Sequence, residues 1–381
     1  MLPKAVIYVN FSQYDNTGRI LDYLREQFPT VLHFSFDHLR LKNGRKTNLI
    51  TIYKKGKPTY INTLYSLRVP EFFLFPSLPL VGILMAIQTI RHSVYLYKNV
   101  GKMAFFTVNA YPALIGVLLK YIGVVSNVQY WVWDYYPVHG PSWTLRIIRY
   151  WYLLFDMLAL RLSDSLIFPN IRQRRLREHL HGIKGNHPIV PLGSSKPVPF
   201  HKKISHTIGF LGMLKGSQGL DLILLSFGKV LKRDPAMRLE IIGSGPEEES
   251  IRERARPFGN RVKFYGFIED QNTLNAIARR WFAGLAIYEP VPGNESYFGD
   301  PSKIKVYLSQ GIPIITTNVT EYGQKAEIHK FGISVRYNIQ DVVRAIFVIH
   351  AKQLYYRKNV LQFAGRLYYR NLYKHLLLHS R

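Results

Sequence analysis

The hydrophobic pattern of the chain switches repeatedly between two periods. Short runs of β-branched and aromatic residues near 4–9, 31–36, 49–53, 103–108, 128–133 and 165–168 read as buried strands. Between them, apolar residues return every three or four positions, which predicts helices over 17–27, 78–91, 111–122 and 143–162. In the last of these, Leu145, Ile148, Trp151, Tyr152, Phe155 and Leu158 share one face, as core packing requires. The alternation begins again downstream. Strands are predicted near 207–212, 238–243, 262–265, 283–287, 312–316 and 332–336, helices near 217–232, 246–257, 270–279, 302–310 and 321–329, and a closing helical stretch over 339–378. Strands and helices in this order build parallel sheets with helices on both faces.

The periodicity lapses between 184 and 206, where Pro188, Pro191, Pro197 and Pro199 accompany Gly185, Gly193 and several serines. The expected organisation is therefore α/β. A first Rossmann-like domain spans 1–185, a linker 186–206 and a second doubly wound domain 207–340. Helices over 341–381 are expected to pack back toward the first domain. Ligands of such domains bind outside the carboxyl ends of the strands, so a cleft faced by both sheets is the expected site.

Composition adds one unusual fact, a formal net charge of +27. A chain this basic is suited to polyanions: nucleic acid, an anionic membrane face or phosphorylated substrates. Arg172, Arg174, Arg175, Arg177 and Lys184 cluster late in the first domain. Lys352, Arg357, Lys358, Arg366, Arg370 and Lys374 recur along the closing stretch beside Tyr355, Tyr356, Tyr368 and Tyr369. These runs fit either a solvated face or an anionic membrane surface, where each cation contributes about 1 kcal/mol. Cysteine is absent, which excludes disulfides, thiolate metal sites and cysteine nucleophiles. Met1-Leu2-Pro3-Lys4 runs straight into a strand, so no cleavable leader is expected. The longest apolar stretch, Phe72 to Ile87, carries Pro76 and Pro79 and falls short of the ~20 residues of a spanning helix. It suits a buried helix or a segment dipping into one leaflet. No nucleic-acid-binding motif is present, so charge alone supports that partner and none is expected.

Four loops of the second half carry chemistry suited to a phosphorylated ligand. Gly212-Met213-Leu214-Lys215-Gly216 leads from a strand through Gln218 into a helix, and glycines there let backbone N–H groups approach an anion. Gly243-Ser244-Gly245-Pro246 repeats the arrangement, with Pro246 suited to a first helical position. Gly266-Phe267 ends a third strand. In the fourth loop, Gly299-Asp300-Pro301-Ser302-Lys303 enters a helix with a lysine in its first turn. The helix dipole disfavours a cation there unless an anion is also bound.

Taken in order, the segments Gly212 to Asp221, Ile241 to Pro246, Val262 to Phe267 and Pro301 to Thr317 resemble the donor domain of retaining GT-B glycosyltransferases, the group 1 or family 4-like transferases. Tyr130 to Pro137 and Phe155 to Ser165 resemble that family's first domain more loosely. The resemblance implies a GT-B fold and transfer of a hexose from a nucleoside-diphosphate sugar to a glycan or lipid-linked acceptor. It also implies a cytoplasmic enzyme seated at the inner face of the cell membrane and active in cell-envelope polysaccharide synthesis. No cofactor and no metal are implied, since Lys215 and Lys303 would neutralise the leaving diphosphate. Donor contacts are implied for Gly212, Met213, Gln218, Gly243, Ser244, Gly245, Phe267, Glu295, Gly299, Asp300, Pro301, Ser302 and Tyr307. Gly18, Arg19 and Tyr135 are implied on the acceptor side. Asp134 is the candidate to orient the acceptor hydroxyl or contact the donor sugar, with a helix N-cap as its alternative role.

The sequence also departs from the family. Met213 stands where an arginine is common and Gln218 where a lysine is common, while Phe298 and Val306 occupy the positions of two glutamates. Glu295 or Asp300 is the candidate replacement carboxylate. The departures leave a catalytically silent sugar-nucleotide or glycan binder as the rival reading.

Overall fold

The computed structural model describes residues 3–11, 17–36, 48–67, 74–137, 143–199, 204–291 and 293–376. Asp15 and Asn16, residues 68–73 at the head of the apolar stretch, and 200–203 in the proline-rich stretch lie outside the described residues. The chain forms two compact bodies, residues 1–191 with 373–381 and residues 192–372.

The first body holds strands β1 (Ala5–Asn10), β2 (Thr30–Ser35), β3 (Leu49–Lys54), β4 (Lys57–Thr63), β5 (Met103–Thr107), β6 (Val125–Trp131) and β7 (Ser165–Ile167). Its sheet order is β4-β3-β2-β1-β5-β6-β7, parallel except that β3 runs antiparallel to both β2 and β4. Its helices are α1 (Ile20–Gln27), α2 (Leu74–Val100), α3 (Ala110–Tyr121), α4 (Trp143–Leu162) and α5 (Ile171–His181). Two elements carry no apolar periodicity. Every residue of β4 is exposed, so no hydrophobic face marks it. The helix α5 reads as a basic run, yet Asn170 caps its start by accepting from the Gln173 N–H, and Gly182 ends it in the left-handed conformation (φ 62°).

The second body has strands β8 (Thr207–Leu211), β9 (Arg238–Ile242), β10 (Val262–Gly266), β11 (Trp281–Ala286), β12 (Ile314–Thr316) and β13 (Gly332–Ser334). They form one parallel sheet in the order β10-β9-β8-β11-β12-β13. The order reverses between β8 and β11, the place where such sheets open a crevice at their carboxyl ends. The helices α6 (Leu220–Arg233), α7 (Glu248–Ala255), α8 (Gln271–Ala278), α9 (Ser302–Ser309) and α10 (Tyr322–Ile328) connect the strands. Leu220, Ile223, Leu224, Phe227 and Val230 form the buried stripe of α6.

The closing stretch is broken rather than continuous. It comprises α11 (Ile339–Ala351), α12 (Gln353–Ala364) and the single turn α13 (Tyr369–Leu372). Val342, Ala345, Ile346 and Ile349 of α11 join the core that contains α6, and Val360, Phe363 and Ala364 of α12 join the core around α9. These helices thus pack in the second body, and only the chain from Tyr373 onward groups with the first. There the Tyr373 hydroxyl donates to the Gly18 carbonyl at 2.6 Å. Two residues of the expected basic faces are structural instead: Arg177 and Arg357 are buried, and Arg357 donates to the Trp281 carbonyl at 2.9 Å. Among the described residues no helix is long and apolar enough to cross a membrane.

Candidate functional site

The turns that follow β8 and β9 are built against each other. Gly212 (φ 143°) and Gly243 (φ 136°) adopt backbone conformations that side chains disfavour, and a Cβ on Gly243 would lie 1.9 Å from the Gly212 carbonyl oxygen. The Gly212 N–H donates to Ile242 O at 3.0 Å, the Leu214 N–H to Ser244 O at 3.0 Å and the Gly243 N–H to Gly266 O at 2.8 Å. The Gly216 N–H donates to Oε1 of Glu247 at 2.7 Å. This corrects the expectation that the Gly212 and Gly243 amides stand bare for an anion. They lock the turns together, because a buried N–H needs a partner and the neighbouring carbonyl is the nearest one.

The cation arrives from α9, which starts at Ser302 after Pro301 takes the cap position. Lys303, in its first turn, is buried. Its Nζ donates to Oε1 of Gln218 at 2.6 Å and lies 4.3 Å from the ring centre of Phe210 and 5.3 Å from that of Tyr288. A Cβ on Gly212 would come within 3.0 Å of the ammonium, so the glycine turn roofs it. No carboxylate pairs with Lys303 among the described residues. Burial and the nearby charge of Lys215 lower its pKa to about 7. An ammonium with three N–H donors, one of them accepted by a glutamine, has capacity left for an anion. Lys215, half-buried, lies 3.4 Å from Oε2 of Glu295 on the turn before α9.

The set predicted from sequence therefore divides. Gly212, Lys215, Gln218, Gly243, Ser244, Gly245, Glu295 and Lys303 come together around the β8 and β9 turns, and Met213 is exposed beside them. Phe267, half-buried, follows the Gly266 carbonyl that holds Gly243. Gly299, Pro301 and Ser302 form the approach to α9. Asp300 and Tyr307 are drawn elsewhere. The Asp300 carboxylate pairs with buried Lys305 and accepts the Leu192 N–H at 2.6 Å. Tyr307 is core: its hydroxyl accepts from Leu211 N at 2.8 Å and donates to Leu285 O at 3.2 Å, tying β8 to β11. Val306 packs against the α9 core. Phe210 and Tyr288, the aromatic walls of the lysine site, were not singled out by sequence, because apolar strand residues give no sign of which face meets a charge. An open groove of ≈ 910 Å³ lies beyond the Asn294 turn, lined by Tyr297, Phe298, Thr317, Asn318 and Tyr337 among others. None of the predicted donor residues lines it.

In the first body, Asp134 is exposed two residues past the cap of β6, and no helix starts there, so the N-cap role does not hold. Its carbonyl is fixed by the Tyr152 hydroxyl at 2.7 Å and Arg177 Nη2 at 2.9 Å. Behind it, Arg177 Nε meets Asp156 Oδ2 at 2.6 Å, and Tyr130 donates to Asp156 Oδ1 at 2.9 Å. Gln173 donates to the Trp133 carbonyl at 3.1 Å. Burial pushes the hydroxyls of Tyr130 and Tyr152 well above the ordinary tyrosine value, with the Asp156 charge adding to it. This network fixes the chain as it leaves β6, and Tyr135 stacks under the Arg177 guanidinium at 4.7 Å. Gly18 and Arg19 are both left-handed, at φ 67° and 62°, and Arg19 pairs with Asp22 at 2.6 Å. A left-handed arginine stores strain of the kind found at functional turns.

Residues 205–350 match the family described as "Glycosyl transferases group 1". No curated protein sequence matches the chain. Among solved structures, the sucrose-phosphate synthase from Thermosynechococcus elongatus is similar at 16% identity and TM-score 0.66, over 99% of this chain and 96% of that one. A structure titled "Trehalose-6-phosphate from E. coli bound with UDP-2-fluoro glucose" is similar at 13% identity and TM-score 0.67, over 99% and 98%. The lipopolysaccharide outer core galactosyltransferase WaaB in its apo form is similar at 14% identity and TM-score 0.59, over 99% and 100%. Residues 205–350 are thus a group 1 glycosyl transferase domain, within a chain that has the fold of the GT-B glycosyltransferases.

Proposed function

We propose that the protein transfers a hexose, with retention, from a nucleoside-diphosphate sugar to a glycan or lipid-linked acceptor. The observation that carries this reading is Lys303, a buried lysine without a carboxylate partner among the described residues, held under the Gly212 turn beside Lys215. The donor diphosphate supplies the missing anion. As the bond between the anomeric carbon and the diphosphate oxygen breaks, negative charge grows on that oxygen, and preorganised cations in a dry site stabilise it. The acceptor hydroxyl forms the new bond at the anomeric carbon as its proton passes to the departing diphosphate oxygen, and Asp134 is the group proposed to orient that hydroxyl. Lys215 and Lys303 carry the charge neutralisation without a metal in this reading. Glu295, not Asp300, is the carboxylate proposed for the donor ribose. Donor hydrolysis tests the reading: wild type turns over a sugar nucleotide and Lys303→Ala loses that turnover. Binding of nucleoside diphosphate without turnover in wild type would favour the silent binder instead.

The acceptor is proposed to be membrane-borne, which places the protein at the cytoplasmic face of the cell membrane. Support comes from one helix layer of the first body, in which Tyr111 of α3 lies against Gly82 of α2 and 5.5 Å from Phe155 of α4. On its outer side α4 exposes Trp143, Ile147, Tyr150 and Trp151, with Arg146 between them, and α2 exposes Leu80, Ile83 and Ile87, followed by Arg91. Aromatic rings, aliphatic side chains and arginines on one layer suit the headgroup region of an anionic bilayer. Co-sedimentation with phosphatidylglycerol vesicles that weakens with salt and is lost in Trp143→Ser/Trp151→Ser supports it, and no binding at any salt concentration refutes it.

A further inference from the structure

At the opposite end of the second sheet, three metal-ligating side chains meet. His206 immediately precedes β8, Asp234 follows α6, and His350 lies in the last turn of α11. This is the amino end of β8, whereas the lysine site lies past its carboxyl end. Nδ1 of His206 is 3.5 Å from Oδ2 of Asp234, and the two imidazole ring centres are 4.7 Å apart. One ligand atom from each of the three residues lies within 4.8 Å of the others. Phe282 holds the His350 ring edge-on at 4.9 Å. Nε2 of His350 is buried and has no hydrogen-bond partner among the described residues. A buried polar atom of this kind calls for an explanation, and an ion that has yet to bind is one.

We propose that His206, Asp234 and His350 form a site for a divalent transition-metal ion of the zinc class, with its fourth position open to water. Two imidazoles and one carboxylate are the donor set for such ions rather than for magnesium or calcium, which take oxygen. Donors bound to a tetrahedral ion at its usual bond lengths stand roughly 3.3 Å apart. The His206–Asp234 pair is already near that spacing. The His206 side chain, 45% exposed, has room to swing toward His350. The neighbouring Arg233 guanidinium is directed over the Phe347 ring at 5.9 Å. The three ligands come from the ends of three different elements, so a bound ion ties α6 and α11 to the amino end of β8. Its role is structural and independent of sugar transfer.

The test uses the full untagged chain after chelator treatment. Zinc chloride added by calorimetry should fill one saturable site and raise the melting temperature, and cobalt(II) should give a tetrahedral visible spectrum. His206→Ala and Asp234→Asn should each weaken zinc binding by roughly tenfold or more and remove the zinc-dependent rise in melting temperature. Asparagine keeps the acceptor for the Ala236 N–H, which Asp234 Oδ1 takes at 2.9 Å, so the second variant should fold as wild type does. Absence of saturable zinc binding, or unchanged affinity in both variants, would overturn the proposal.

Discussion

Lys303 and Lys305 leave the same helix two residues apart, both buried, and among the described residues only Lys305 meets a carboxylate, that of Asp300. Lys303 has an amide oxygen and two aromatic faces instead. A buried charge without a counter-ion is costly, and proteins keep one where a ligand completes the pair. The contrast separates a structural lysine from the lysine proposed to bind the diphosphate, on one short helix.

Asp300→Asn should therefore act on stability. It leaves Lys305 buried without its counter-charge, at a cost of about 3–5 kcal/mol. Chemical denaturation would measure that loss, while diphosphate affinity of the folded protein stays unchanged.

Lys303 also predicts a pH dependence. Its pKa is about 7 in the folded protein, against an ordinary lysine value of ~10.4 in the unfolded chain. Between these values the unfolded state holds the extra proton, so this group's contribution to stability rises with pH. The contribution is complete above the unfolded value and is lost as pH falls through about 7. Diphosphate binding needs the ammonium form, so at pH 8 binding should take up a proton. Calorimetry in two buffers of different ionisation enthalpy would show that uptake, and Lys303→Met should remove it.

Gly243→Ala would place a methyl group 1.9 Å from the Gly212 carbonyl oxygen, at a backbone conformation that alanine resists. Separating the two turns should cost about 1–3 kcal/mol and weaken nucleotide binding together with stability. A thermal melt with and without diphosphate reads both.

In the first body, Arg177→Met would strand the Asp156 carboxylate, fully buried, at a cost of about 3–5 kcal/mol. The double variant Asp156→Leu/Arg177→Met should recover part of that loss. Equilibrium unfolding of all four proteins completes the cycle.

Sequence periodicity located the parallel strands and helices such as α6, whose apolar stripe is buried; it located α4 as well, but the stripe expected to be core there is only partly covered, and Trp151 is exposed. It missed β4 and α5, whose residues are exposed or charged and which hairpin pairing and caps hold in place. The lysine site was legible as glycine turns, a lysine at a helix start and an acidic turn. The roles of Asp300 and Tyr307 were not, because a side chain's partner lies across the fold and spacing along the chain does not reveal it. Gln218, which stands where the family commonly has lysine, shows its use only in three dimensions, as the acceptor of the Lys303 ammonium.

Titration of UDP, GDP and ADP into wild type and Lys303→Met by calorimetry tests the central claim most directly. At least one diphosphate should bind wild type, and the substitution should weaken it by roughly 10- to 100-fold, as loss of a charge-assisted hydrogen bond implies. Equal affinity in the two proteins, with both folded, would contradict the assignment of Lys303 to the donor diphosphate.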